Sequence, residues 1–166
     1  MRTTTTTDQR LRRSAQVVCS PVADQAQLAA HHRIRHEVFV AEQALFTGSD
    51  RDDHDASPQT VHVLATIDGE PVGTVRLFPI DGPGLWQGDR LAVLPRFRVH
   101  GAGAPLVRFA VEHAARHGGR RMIAHIQLAN VVFFRRLGWD LAGPVEDYLG
   151  AAHQPMAIAL TTSSDW

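Results

Sequence analysis

The sequence predicts an α/β domain in which strands alternate with helices, and three observations carry that prediction. Two alternating apolar runs, residues 61–67 and 72–78, meet at Asp68-Gly69, a dipeptide that favours a tight hairpin. A strand-like run over 91–94 turns through glycines into a helical stretch ending near residue 117. Within that stretch Leu106, Phe109, Ala110, His113 and Ala114 recur at helical spacing, with Arg108, Glu112 and Arg116 on the solvated face.

Taken in order, residues 16–19 read as a first strand. Asp24 caps a helix reaching about residue 36, with Leu28, Ala29, His32 and Ile34 on its buried side. A second helical piece covers 37–43, and an acidic loop over 50–55 leads into the hairpin. The next strand spans about 86–94 and feeds the glycine loop, whose helix stops at Gly118-Gly119. Residues 122–128 give another strand. A short apolar helix follows, with Asn130 as N-cap, its side-chain oxygen taking an orphan amide, and Gly138 as C-terminal stop. Residues 141–148 and 156–160 complete the sheet. The reading is one domain over 14–162 behind a disordered leader over 1–13, which opens with five threonines and lacks the apolar core of a secretory signal.

Composition narrows the function. The chain has 166 residues, 44% of them hydrophobic, near the usual length of a single domain. Its seventeen basic residues are all arginine and balance seventeen acids, which argues against a nucleic-acid or membrane-surface partner. One cysteine, Cys19, excludes an internal disulfide, and with no membrane-length apolar run the reading is a cytoplasmic protein. Self-association as a homodimer stays open. His32 and His36, four apart, and the acidic loop have metal-like spacing, but no HExxH set or calcium-loop glycine completes either, so no metal is expected.

The junction Arg98-Val99-His100-Gly101-Ala102-Gly103-Ala104-Pro105 carries the most chemistry. Without a Cβ at Gly101 and Gly103 the backbone can approach a phosphate, and the first amides of a helix are unpaired donors at its positive end. Pro105 suits the first turn. The plain alternative is a tight structural turn. The spacing R-x-x-G-x-G is neither a P-loop nor the three-glycine dinucleotide fingerprint. It resembles the cofactor motif of the GNAT superfamily of acyl-CoA-dependent N-acyltransferases. The stretch from Asn130 through Phe133, Phe134 and Arg136 to Leu137-Gly138-Trp139 resembles that superfamily's second motif, whose asparagine, the only one in this chain, faces the pantetheine arm. The resemblance implies a GNAT fold, with a mixed, mainly antiparallel sheet of about six to seven strands. It also implies acetyl-CoA as cosubstrate, a small-molecule primary amine as acceptor, and direct attack without a covalent enzyme intermediate. The implied cofactor contacts are Leu91, Val93, residues Arg98 to Ala104, Asn130, Phe133 and Arg136.

A narrower resemblance, to acyl-homoserine-lactone synthases and N-acyl amino acid synthases, rests on Arg35-x-x-Val38-Phe39, Asp52-Asp53-His54-Asp55, Gly73-Thr74-Val75-Arg76-Leu77-Phe78-Pro79 and Arg90-Leu91-Ala92-Val93. It implies an acceptor site shaped by Arg35, Phe39, Asp52, Asp55 and Arg76, with the acidic loop as a lip attractive to a cationic amine. Gln87 stands where that branch has a glutamate, and the clean glycine motif favours a CoA thioester over an acyl carrier protein. Longer acyl donors and a non-catalytic CoA sensor remain the alternatives.

Amine attack on a thioester needs a neutral amine, close positioning and a donor awaiting the oxyanion. The main-chain amide of Val93 is the candidate donor. For the base the candidates are His125, Asp89, Glu42 and His153. His125 is favoured because histidine starts closest to neutrality, although a hydrogen-bonded core histidine is the plain alternative. Asp89 equally suits an ion pair with a nearby arginine, and His153 suits the far wall of the cleft. Both aromatic positions of the second motif are phenylalanines, Phe133 and Phe134, so Tyr148, the only tyrosine, is the candidate acid for the leaving thiolate.

Overall fold

A computed structural model describes residues 16–161, so the leader expected over 1–13 lies outside the described residues. Eight strands form one sheet: β1 (Val17–Pro21), β2 (Val61–Ile67), β3 (Glu70–Pro79), β4 (Leu85–Val93), β5 (Arg121–Gln127), β6 (Asp140–Leu141), β7 (Glu146–Tyr148) and β8 (Ala151–Ala159). Their order is β1-β2-β3-β4-β5-β8-β6, with β7 also on β8, and β4–β5 is parallel while the other pairs are antiparallel. The helices are α1 (Gln25–Arg35), α2 (Gly103–Arg116) and α3 (Val131–Arg136). A π-helical segment, His36–Glu42, continues α1. No helix among the described residues is long and apolar enough to cross a membrane.

Local chemistry accounts for most of these elements. The hairpin of β2 and β3 turns through Asp68 and Gly69 at φ 50° and 79°, the mirror-image turn that matches strand twist. Asp24 accepts from Gln27 N at 2.8 Å and caps α1. The sequence expectation of one strand over 141–148 is corrected to two, because Gly143, at φ 148°, and Pro144, with no amide to donate, break the ladder between β6 and β7. Asn130 is also corrected: it precedes α3 but makes no side-chain cap bond. A 3-10 turn, Leu128–Asn130, leaves it at φ −103°, ψ 0°. An N-cap that reaches its own first turn is normally extended.

The buried stripe of α1 differs from the apolar reading. Ala30, His31, Ile34 and Arg35 are buried, whereas Leu28 is half-buried and Ala29 exposed. His31 and Arg35 face inward because both find partners there, Val63 O for His31 Nδ1 at 3.0 Å and two aspartates for Arg35. One core cluster fills the α2/α3 face of the sheet and a smaller one lies under α1.

A histidine group under α1 gives a measurable pH dependence. His31, His32 and His62 have ring centroids 4.9 to 5.7 Å apart. Burial pushes His31 down to about 3 and His32 to about 4, aided by Arg35, and lowers His62 as well. Unfolded histidines bind protons below about 6.5, so stability is complete above that pH and falls as the pH drops toward 4 and below. A fully buried neutral histidine costs up to about 1.4 kcal/mol per pH unit there. Carboxylate losses begin lower. Urea denaturation from pH 7 to 4 is expected to show this decline and His31→Asn a shallower one; a flat profile contradicts the neutral cluster.

Candidate active site

The site originates where two strands part. β4 and β5 pair only over Leu85–Gln87 and Arg121–Ile123, and beyond Gln87 a cleft opens between them. A bulge in β4 helps: Arg76 pairs with Asp89 and Thr74 with Ala92, so Arg90 and Leu91 share one place, with Arg90 at φ 54° and its carbonyl held by Thr74 Oγ1 at 2.9 Å. Leu94 N donates to Val72 O. Strand alternation therefore turns the Val93 amide to the other side, toward the gap.

The cleft offers about 100 Å³ of room to water-sized molecules and is lined by residues from both faces of the sheet. On the α1 side it meets Phe39, Leu45, Phe46, Asp89 and Arg90. On the α2/α3 side it meets Val107, Ala110, Met122, Phe134 and Trp139, with Leu91, His125, Asn130, Tyr148 and His153 also lining it. Gly88 stands at the parting point, where a Cβ would lie 3.2 Å from Met122 Sδ. That bare position keeps the passage open.

At the end of β4 a 3-10 turn, Pro95–His100, enters α2 through Gly101 in the left-handed region at φ 68°. A Cβ at Gly101 would meet nothing within 4 Å, and one at Gly103 would meet Phe133 Cζ at 3.4 Å. The amide of Gly101 is taken by Arg98 O at 3.2 Å, whereas no bond within the described residues uses those of Gly103 and Ala104. The free donors thus sit at the second glycine of the motif and the residue after it, in the first turn of a fourteen-residue helix. Val99 and His100 are exposed beside them, as is Arg136 on α3.

Arg98 and Glu42 pair with each other beside the glycine loop. Arg98 grips Glu42 through Nη1–Oε2 at 2.7 Å and donates from Nε to Val93 O at 3.1 Å. That hydrogen bond lowers the Glu42 pKa, and Glu42 lies exposed outside the cleft lining, so it is placed as an ion-pair partner and not as a base. Gln127 Nε2 donates to Gln43 Oε1 at 3.0 Å. The π-helical segment is therefore tied to both arms of the parted strands.

The acidic loop is likewise not an open lip. Asp52 and Asp55 form a reciprocal capping box on a 3-10 turn, Asp53–Ala56, and their carboxylates meet buried guanidinium groups. Arg35 binds Asp50 and Asp55, each at 2.7 Å. Arg76, fully buried, binds Asp52 at 2.7 Å and Asp89 through Nε–Oδ1 and Nη2–Oδ2, both 2.7 Å. Arg90 binds Asp50 and lies 4.6 Å over the Phe46 ring. Burial works against these charges, but the mutual hydrogen bonds outweigh it, lowering Asp52 and Asp55 and raising Arg76. Of the expected acceptor residues, Phe39 and His153 line the cleft, while Arg35, Arg76, Asp52 and Asp55 form the support beneath Asp89 and Arg90. Asp89 sits at the cleft as the counter-ion of Arg76.

His125, on β5, has its Nδ1 against the Glu146 carboxylate and its ring stacked on Tyr148, centroids 4.0 Å apart and planes 10° apart. Burial, then the Asp89 charge, raises the Tyr148 phenol, which keeps its proton. His153 Nδ1 donates to Ala151 O at 2.9 Å, and its ring meets Tyr148 edge-on. Sequence reasoning passed over Glu146, Phe46 and Gly88. The alternation in Glu146-Asp147-Tyr148, which puts Glu146 on the face of Tyr148, was the available signal for the first.

A family model described as Acetyltransferase (GNAT) family matches residues 27–139. Among solved structures, an acyl-CoA N-acyltransferase from Pseudomonas aeruginosa superposes with a TM-score of 0.73 at 24% identity, over 86% of this chain and 97% of that one. Escherichia coli ElaA gives 0.74 at 23% over 86% and 97%. The CoA-dependent acyl-homoserine lactone synthase BjaI, solved with SAM and isopentyl-CoA, gives 0.70 at 20% over 82% and 77%.

Proposed function

Because the chain belongs to the acetyltransferase (GNAT) family, we propose that it transfers the acetyl group of acetyl-CoA to a primary amine of a small molecule. The observation that carries this reading is the parting of β4 and β5 between an unpaired helix N-terminus and His125. The amides of Gly103 and Ala104 suit the diphosphate, and the pantetheine arm runs along the cleft past Leu91 and Asn130. The amine nitrogen attacks the thioester carbonyl carbon, the C–N bond forms and the C–S bond breaks. The Val93 amide meets the developing oxyanion, His125 takes the ammonium proton, and Tyr148 or water protonates the departing thiolate.

A longer acyl donor is the second reading, and one observation favours it. Behind the reaction point the cleft continues past Gly88 to buried Val107, Ala110, Met122 and Trp139, more apolar room than an acetyl group uses. The BjaI structure holds isopentyl-CoA. Thiol release from acetyl-, isovaleryl- and hexanoyl-CoA across an amine panel tests both readings. Faster turnover of acetyl-CoA supports the first. Preference for a longer chain, lost on Gly88→Val, supports the second. Tight CoA binding without turnover on any amine rejects both in favour of a sensor.

Gly101→Val tests the cofactor side. A β-branched side chain at a left-handed φ is strained by about 1–3 kcal/mol, and it projects into the open space before α2. CoA affinity measured by calorimetry is expected to fall at least about tenfold, or ~1.4 kcal/mol. Unchanged affinity removes the loop from the binding site.

A further inference from the structure

Glu146 has no role in the reading above, yet it is the carboxylate that His125 touches. The groups around the imidazole come from three further strands. Glu146 and Tyr148 lie on β7, His153 on β8, and Asp89 with Arg90 on β4, while Gln127 follows on β5 itself. Asp89 is already bound through both oxygens to Arg76. Among the described residues Glu146 has no ion-pair contact besides His125, and it is partly exposed. The other ring nitrogen, Nε2, has no hydrogen-bond partner among the described residues and is not among their enclosed, unpartnered side-chain atoms. The ring that carries it lines the cleft.

A carboxylate accepts and does not donate, so contact at Nδ1 fixes a proton there and leaves the lone pair on Nε2. Tyr148, stacked on one face, sets the ring plane. We propose that Glu146 is the positioning residue of this site, holding His125 in the Nδ1–H tautomer with Nε2 available to the acceptor amine and stabilising the imidazolium that forms. The proton leaving the amine goes to Nε2. The charge created on the ring is met by the Glu146 carboxylate, and the proton passes to solvent after the amide product leaves. The inference rests on His125 as the base, and its test separates the two.

The ring-nitrogen shifts of His125, measured by nitrogen NMR and assigned against His125→Gln, are expected to report the Nδ1–H form in the unaltered protein. Glu146→Gln keeps an acceptor oxygen but removes the charge. The tautomer is expected to persist while kcat falls and the acidic limb of the pH–rate profile moves down by about one unit, with KM for acyl-CoA unchanged. Glu146→Ala is expected to release the tautomer and lose more rate, and Glu146→Asp to restore part of both. An Nε2–H ring in the unaltered protein, or an unmoved tautomer and rate profile in Glu146→Ala, overturns the proposal. A tautomer that responds while the rate profile does not upholds the Glu146 contact and instead rejects His125 as the base.

Discussion

Replacing Arg76 with methionine is expected to destabilise the fold by about 3–5 kcal/mol, the usual consequence of removing one partner from a buried ion pair. Arg76 is fully buried and spans Asp52 and Asp89, with Asp55 at 3.2 Å. Without it, the largely buried carboxylates of Asp55 and Asp89 and the more exposed one of Asp52 are left with Arg35 and Arg90 alone. For a chain of this size the melting temperature drops by roughly 6–20 °C. Lysine is no substitute, because a point charge cannot make the two forked contacts of a guanidinium. The double variant Arg76→Met with Asp89→Asn is expected to recover part of the loss, since it removes one stranded charge. Equal thermal stability of Arg76→Met and the unaltered protein contradicts the network as a structural support.

That network also shows what the sequence leaves hidden. Hairpin, glycine loop and α2 were legible because their signals are local: Asp68-Gly69, Gly101 at a left-handed φ, and a 3.6-residue apolar period. The acidic loop at residues 50–55 reads as solvent-facing, since nothing local reveals that Arg35, Arg76 and Arg90, contributed by one helix and two strands, converge on it. His31 and Arg35 entered the core against their polarity for the same reason. The cleft was legible in part. His125, Tyr148 and His153 are each assigned to the cleft by their places on or beside expected strands, and the structure brings them together, with His125 stacked on Tyr148 and His153 edge-on to it. Glu146 was not found because β7 is three residues long and its pairing with β8 is a matter of register, not of composition. Glu42 and Arg98 are far apart in sequence but form an exposed ion pair, with Nη1 2.7 Å from Oε2.

His125→Ala is expected to lower kcat/KM for the amine acceptor by about 10²–10⁴-fold, the usual contribution of a positioned base. In the proposed reading the thioester and its diphosphate are held elsewhere, at Val93 and at Gly103 and Ala104, so KM for acyl-CoA should hardly change. The pH dependence is the sharper readout. Without a base in the site the enzyme depends on amine already neutral in solution, so the rate should rise about tenfold per pH unit until the acceptor's own pKa is reached, and the two enzymes should converge there. Asp89→Asn separates the rival carboxylate from this role. It removes the counter-charge of Arg76 and is expected to cost stability without changing the slope of the profile. Tyr148→Phe is expected to cost much less than His125→Ala, since a thiolate is a competent leaving group near neutral pH. A His125→Ala enzyme whose activity and pH profile match the unaltered protein shifts the proton acceptor to water or to His153, and the His153→Ala profile then decides between them.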